Sequence, residues 1–479
     1  MDRFVDRKSE LDELNRLSQS ATGVFLSVYG RRRVGKTTLL LHWAKQTGLP
    51  YMYWVARRET ADATRQSLAR ALWALAYPKD QNQQPPRFDS WELLLREMAR
   101  LIGSQRLIII FDEFPYAVES DPSFPSHLQA AWDHLFKSLP ITLILSGSHI
   151  GMMVDSMAYS APLYGRFTGQ LPIDALPFAA LKEFFPRYEA AERVATYAVL
   201  GGVPAYLEQF NPNQNLSKNI RNHLFNKTGM FRNEPAVLIS DLVRETRIYE
   251  AILRAISIGK RRPSEIAEMI GFPTSNLPPY LKRLTELHLI ERQVPATIPF
   301  SQRQTTTKSR YMVRDAYLRF YFRFIEPNQE MVEQGLQARL WERIAEQFRA
   351  FVGATTFEDL CREWIVTRAR ADQLPFMPEL VGSYWSKEAQ VDVVAINWQE
   401  RAILLGECKW GVGAVKRPVV EELIAKAPRV VPGEEWQVHY AFFARSGFTE
   451  EACQAGRNVH ALMVDLEMLD NDLQGALEK

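Results

Sequence analysis

The chain reads as an α/β protein whose first part is a three-layer parallel sheet, and three observations predict this. Apolar runs at 24–29, 51–56, 107–111 and 141–145 alternate with amphipathic stretches, the pattern of parallel strands joined by crossover helices. Between the first run and the next helix stands Gly30-Arg31-Arg32-Arg33-Val34-Gly35-Lys36-Thr37, of the form G-x-x-x-x-G-K-T. The third run ends in Asp112-Glu113, acids placed where the carboxyl ends of strands meet ligands in open α/β sheets.

The glycine loop sits in the strand–loop–helix setting that its chemistry needs. Its glycines let backbone N–H groups close around phosphate oxygens, and the helix start adds its dipole. Lys36 is expected to reach the β- and γ-phosphates of ATP and Thr37 to sit on Mg²⁺, with Thr38 next in the cradle. The whole loop is expected to face solvent. Arg31, Arg32 and Arg33 are either a solvated basic stretch or added charge near the γ-phosphate. Asp112 is placed to hold Mg²⁺ and Glu113 to polarise the attacking water.

Other elements follow in order. Phe4 to Leu14 forms a short amphipathic helix, a second helix spans 61–77, and 78–86 is a polar loop. Ser90 is a candidate N-cap for a helix carrying Leu93, Leu94, Met98 and Leu101. The strand at 141–147 ends at Ser148, which either caps it or senses the γ-phosphate.

The phosphate loop, Asp112-Glu113, Ser148, Leu163-Tyr164-Gly165-Arg166 and Gly201-Gly202-Val203-Pro204 together resemble the archaeal-type ATPases, a branch of the AAA+/STAND group of P-loop NTPases. The resemblance implies ATP hydrolysis with Mg²⁺, a helical lid after the core, and Gly202 and Pro204 near the adenine. Taken alone, Gly-Gly-Val-Pro is a helix break. Arg166 matches the arginine after the fourth strand, reaching a phosphate in cis or from a neighbouring subunit; its alternative is a structural ion pair.

Residues 241–325 change character. A helix around 247–253, a short helix 263–270 stopped by Gly271, a third helix at 274–287, and strands at 289–297 and 309–313 make a winged helix-turn-helix. Its tip, 302–310, is basic and able to meet phosphates, although such a domain can instead contact its own protein. The aromatic stretch 315–324 either packs a core or stacks on bases, and is the expected linker to the last domain.

In that domain two apolar strands, 390–396 and 402–410, form a hairpin that brings Asp392 beside Glu407 and Lys409. Glu407 and Lys409, two apart, share a face. Two acids and a lysine suit metal-assisted phosphodiester hydrolysis; a surface ion pair is the plainer reading. The arrangement resembles the PD-(D/E)xK nucleases, which implies Glu358 as a helical metal ligand; Val391 stands where that pattern has proline. The last expected elements are a helix at 419–425 and strands at 438–444 and 461–465.

The expected organisation is an ATPase core (1–185), lid (186–240), winged helix (241–325) and α/β restriction-endonuclease-like domain (326–479). DNA is the expected partner, beside a second copy or a signalling partner. The net charge is +2 over 479 residues, so a nucleic acid must be met by a local basic face. Cys361, Cys408 and Cys453 show no disulfide or zinc spacing. No signal peptide or apolar run of membrane-spanning length is legible, so a cytoplasmic protein is expected.

Overall fold

The structure, a computed structural model, describes residues 4–20, 22–78, 84–240 and 246–475. Most of the loop expected at 78–86 and the first residues of the segment 241–325 lie outside them. The chain forms two compact units, Met1–Leu176 with Val203–Ala205, and Pro177–Gly202 with Tyr206–Lys479. The segment expected as a lid is therefore divided, with Val203–Ala205 belonging to the first unit.

The first unit is built on β1 (Val24–Tyr29), β2 (Tyr51–Val55), β3 (Leu107–Asp112), β4 (Ile141–Gly147) and β5 (Gly169–Pro172), in the order β2-β3-β4-β1-β5. Every pairing is parallel. β3 and β4 are buried at every residue, which is why they read as unbroken apolar runs. Successive residues serve opposite layers. Ile109, Phe111, Leu143 and Leu145 join the core under the helices Ala61–Ala76, Trp91–Ile102 and Phe124–His134. Ile108, Ile110 and Ile144 join the one under Lys8–Ser18 and Lys36–Thr47. The Ser90 hydroxyl caps its helix, accepting from Leu93 N at 3.3 Å. β5 carries no legible signal: it has four residues, with glycine and proline at its ends.

In the second unit the helices Thr246–Ser257, Pro263–Ile270 and Pro278–Glu286 precede an antiparallel pair, β6 (Ile290–Gln293) and β7 (Arg310–Val313). β6 stops at Gln293, short of the expected 297. Beyond it Ala296, fully buried, donates its N–H to Ser383 O at 2.9 Å. Phe300–Arg303 then forms a helical turn that runs into the basic tip expected at 302–310. The aromatic stretch is not a linker. It forms the helix Ala316–Phe320 and the turn Tyr321–Ile325, with Tyr317, Phe320, Phe322 and Phe324 buried in core packing.

The remaining sheet contains β8 (Leu380–Trp385), β9 (Gln390–Asn397), β10 (Ala402–Lys409), β11 (Gln437–Ala444) and β12 (Leu462–Asp465), in the order β12-β11-β10-β9-β8. It is mixed: β8, β9 and β10 run antiparallel, while β11 and β12 continue parallel to β10. A helix absent from the sequence reading, Leu466–Gly475, follows β12. No described helix is long and apolar enough to cross a membrane.

That last helix holds a buried ion pair. Asp470 accepts from the Arg193 guanidinium, each side chain 8% exposed, and Arg193 also donates to Tyr188 O. Removing one partner strands a desolvated charge. Asp470→Ala is expected to destabilise the second unit by about 3–5 kcal/mol, and Arg193→Met with Asp470→Leu to recover most of that loss. Urea denaturation of the three chains checks this; a midpoint unchanged in Asp470→Ala would contradict it.

Candidate functional site

The phosphate loop begins where β1 ends. Gly30 cannot carry a side chain, because a Cβ there would lie 2.2 Å from Ile173 O. Gly35 has φ +93°, in the region that favours glycine, and a Cβ there would lie 3.9 Å from the Pro204 ring. Pro204 is thus beside the loop. Arg33 also has positive φ, at 70°. Arg32 and Thr38 are exposed, and Val34 is buried beneath the loop.

Lys36 is not open to solvent as expected; it is 5% exposed. Its Nζ donates to Gly30 O at 3.0 Å, Arg31 O at 3.1 Å and Ser148 Oγ at 2.9 Å. Burial pushes its pKa down to about 8, against the pull of Glu113 and Asp112. Thr37 Oγ1 donates to Asp112 Oδ2 at 2.6 Å. Ser148 donates from Oγ to Glu113 Oε1 at 2.8 Å and from N to Oε2 at 3.3 Å. Strand order explains the convergence. β4 lies between β1 and β3, so Ser148 at its end reaches both the lysine and the glutamate. Glu113 has φ +52°, a conformation unfavourable for a non-glycine residue and typical of functional positions.

Two residues of this site were not singled out from the sequence. Tyr53 Oη donates to Asp112 Oδ2 at 2.9 Å, and burial and Asp112 raise its pKa. Its position near the carboxyl end of β2 was the available signal. Arg7, 5% exposed, donates to Val34 O and Asp174 O, both at 2.8 Å, and so braces the loop from below. Arg166 is engaged away from these groups, 2.7 Å from Tyr164 O and 3.2 Å from Asp133.

The residues present suit a nucleotide with a divalent cation. The Thr37 hydroxyl and the Asp112 carboxylate, the oxygen donors such an ion takes, already face each other. Three N–H bonds of Lys36 end on exchangeable oxygens.

A second cluster lies in the mixed sheet. The β9–β10 register pairs Val393 with Gly406, so the next position sets Asp392 opposite Glu407 on one face. Lys409 shares that face and donates to Glu407 Oε1 at 2.6 Å. Asp392 Oδ2 accepts from Cys408 N at 3.0 Å. Glu407 Oε2 is buried and accepts no hydrogen bond among the described residues; the Lys426 ammonium lies 3.8 Å away. Burial and the neighbouring Asp392 raise the pKa of Glu407 and push that of Glu358 up to about 8. An orphaned carboxylate oxygen opposite a second acid suits a cation with oxygen ligands. Glu358 is not gathered with them: no three His, Cys, Asp or Glu side chains among the described residues are placed to hold one ion.

The expected basic tip is used internally. Arg303 donates to Pro295 O, Ile298 O and Val294 O, and Arg292 to Arg303 O and Thr306 O. Lys308 is exposed.

Residues 4–210 match an ATPase domain found predominantly in Archaea, and residues 321–418 match a segment of archaeal and bacterial proteins of unknown function. An uncharacterized protein of Methanocaldococcus jannaschii is 31% identical over 97% of this chain and 99% of its own length. The Walker-type ATPase PABY2304 of Pyrococcus abyssi shares the fold over 67% of this chain and 96% of its own, at 20% identity and a TM-score of 0.50. The ORC2 protein of Aeropyrum pernix, solved with ADPNP and ADP, is similar over 71% of this chain and 97% of its own, at 14% identity and a TM-score of 0.44. With a relative of that identity over almost its whole length and an ATPase domain at its head, the chain belongs to the archaeal-type ATPases.

Proposed function

We propose that this ATPase couples hydrolysis of ATP in its first unit to the handling of DNA by its second, with Mg²⁺-dependent phosphodiester cleavage at the Asp392–Glu407–Lys409 face. The observation that carries it is that face: two acids opposed across β9 and β10 with a lysine beside them. At the nucleotide, Lys36 would exchange its carbonyl partners for β- and γ-phosphate oxygens. Thr37 and Asp112 would hold Mg²⁺, which supplies charge neutralisation on the phosphates. Glu113 would take the proton of the attacking water while Ser148 fixes its carboxylate. Pro204 would border the nucleotide, and Arg166 would serve only by leaving Asp133, in cis or toward a second copy. In the tail, Asp392 and Glu407 would hold the ion, with Glu358 a further carboxylate near Asp392. Lys409 would neutralise charge on the phosphate. The setting we assign is cytoplasmic.

A second reading is a nucleotide switch whose tail binds without cutting. It is favoured by the Lys409–Glu407 ion pair and the ungathered Glu358.

For DNA contact we assign the winged helix formed by the three helices and β6–β7. Its exposed cation Lys282, on the third helix, and Lys308, near the tip, are the candidates; Arg303 is assigned to the wing's own fold. DNA affinity is expected to fall by about 0.9 log unit per log unit of salt for each phosphate contact. Lys282→Ala with Lys308→Ala should lower that slope by about two such contacts. Anisotropy of a labelled duplex from 50 to 300 mM salt, about the range over which such terms resolve, checks it; an unchanged slope assigns the contact elsewhere.

A further inference from the structure

The winged-helix segment and the acidic cleft of the tail share one recess. Arg261, from the turn before the second helix, and Arg310, the first residue of β7, line it together with Glu358, Arg362, Trp385 and Asp392. Its free volume is about 30 Å³. That is room for about two waters.

The recess is built. β8 is the edge strand of the mixed sheet, and the chain beyond β6 covers it through the Ala296 N to Ser383 O bond. Ala296 packs into the same core as Val391 and Val394. Tyr311 N donates to Arg261 O at 2.8 Å, tying the two arginine-bearing segments together. Arg310 lies over the Trp385 ring, 4.7 Å from its centroid. The backbone of Arg261 and the side chain of Arg310 are therefore held at the cleft wall.

Acids stand near them, Glu358 toward Arg261 and Glu265 toward Arg310, but neither is in direct contact. Arg362 is engaged, donating to Asp392 O at 2.6 Å and to Asp359. Among the described residues, neither the Arg261 nor the Arg310 guanidinium donates a hydrogen bond to the protein or joins an ion pair. Both are half-buried. Burial, then Arg262 and Arg261, lower the pKa of Arg310 against the pull of Glu265. A planar guanidinium has its donors in a fork that matches phosphate oxygens.

We propose that Arg261 and Arg310 form a phosphate subsite that grips the backbone of DNA beside Asp392. The winged helix thereby supplies the positive half of the tail's cleft, and the acids supply the other. This rests on the reading of the tail as DNA-handling, though not on its cutting.

The test is equilibrium binding of a labelled duplex to the full chain, with Ca²⁺ in place of Mg²⁺ and no ATP. Arg261→Gln and Arg310→Gln are each expected to weaken binding about tenfold and to lower the salt slope by about 0.9, one phosphate contact. Arg310→Lys should restore part of the slope, because it keeps the charge and loses the fork. If Arg310→Gln unfolds the chain, Arg261→Gln decides alone, since that side chain bonds to nothing in the protein. Unchanged affinity and slope in the folded variants overturn the proposal. So does loss of inorganic phosphate binding with DNA binding unchanged, which would assign the recess to free phosphate. Arginine-dependent binding by a chain that never cuts leaves the subsite standing and removes the nuclease reading. Cutting with the wild-type salt slope in both variants does the reverse.

Discussion

Lys36→Ala is expected to lower ATP hydrolysis at least about a hundredfold, on the order of 3 kcal/mol of transition-state stabilisation. The lysine is held ready by oxygens that phosphate can replace, Gly30 O, Arg31 O and Ser148 Oγ. Lys36 is buried, and a buried cation acts on the developing phosphoryl charge at lower screening. The fold should survive. The substitution removes a charge that burial already disfavours, as its depressed pKa of about 8 records. Glu113→Gln should separate binding from chemistry. Glutamine keeps an oxygen to accept from Ser148, so nucleotide binding persists, but it cannot take a proton from water. Measured together, Lys36→Ala should lose both nucleotide affinity and turnover, and Glu113→Gln turnover alone. A Lys36→Ala chain that hydrolyses ATP at the wild-type rate would remove the loop from the mechanism.

What could be read in advance follows from how local each cause is. Gly30, Gly35, Lys36 and Thr37 belong to one turn whose spacing is chemistry, and the unbroken apolar runs of β3 and β4 report burial on both faces. Asp112 and Ser148 were legible because strand ends are where a parallel sheet meets its ligand. Tyr53 and Arg7 were harder, since each acts through a contact distant in sequence: Tyr53 reaches Asp112, and Arg7 reaches Val34 and Asp174. Nothing beside either residue announces its partner. The burial of Lys36 was missed for the opposite reason. The motif names which oxygens a lysine reaches but not that its own loop and Ser148 enclose it. The segment between β6 and β7 shows the same limit. A basic stretch between two strands reads as solvated, yet Arg303 is consumed by three backbone carbonyls. Only tertiary packing decides between those fates. β5 was lost because a four-residue strand leaves no punctuation, and the helix Leu466–Gly475 because its N-cap, Asp465, is also the last residue of β12 and was read only as a strand end.

In the tail, Asp392→Ala and Glu407→Ala are each expected to abolish Mn²⁺-dependent nicking of supercoiled DNA while leaving ATP hydrolysis nearly unchanged. Asp392 and Glu407 are the two acids to which the ion is assigned, so either removal leaves too few carboxylate oxygens to hold a divalent ion against water. The nucleotide residues belong to the other unit, which is why hydrolysis should be spared. Lys409→Ala should behave differently. Its ammonium now neutralises Glu407, so its loss leaves both acids available to metal and removes a charge needed on the phosphate during reaction. Metal binding, read by calorimetry with Mn²⁺, should persist in Lys409→Ala and fail in Asp392→Ala, while nicking falls in both. That split distinguishes a metal site from a surface ion pair, in which Mn²⁺ would bind none of the chains. Wild-type chain that takes up Mn²⁺ and never nicks, with or without ATP, would leave the switch with a non-cutting tail as the better account. Equal nicking by wild type and both acid variants would place any cleavage outside this face.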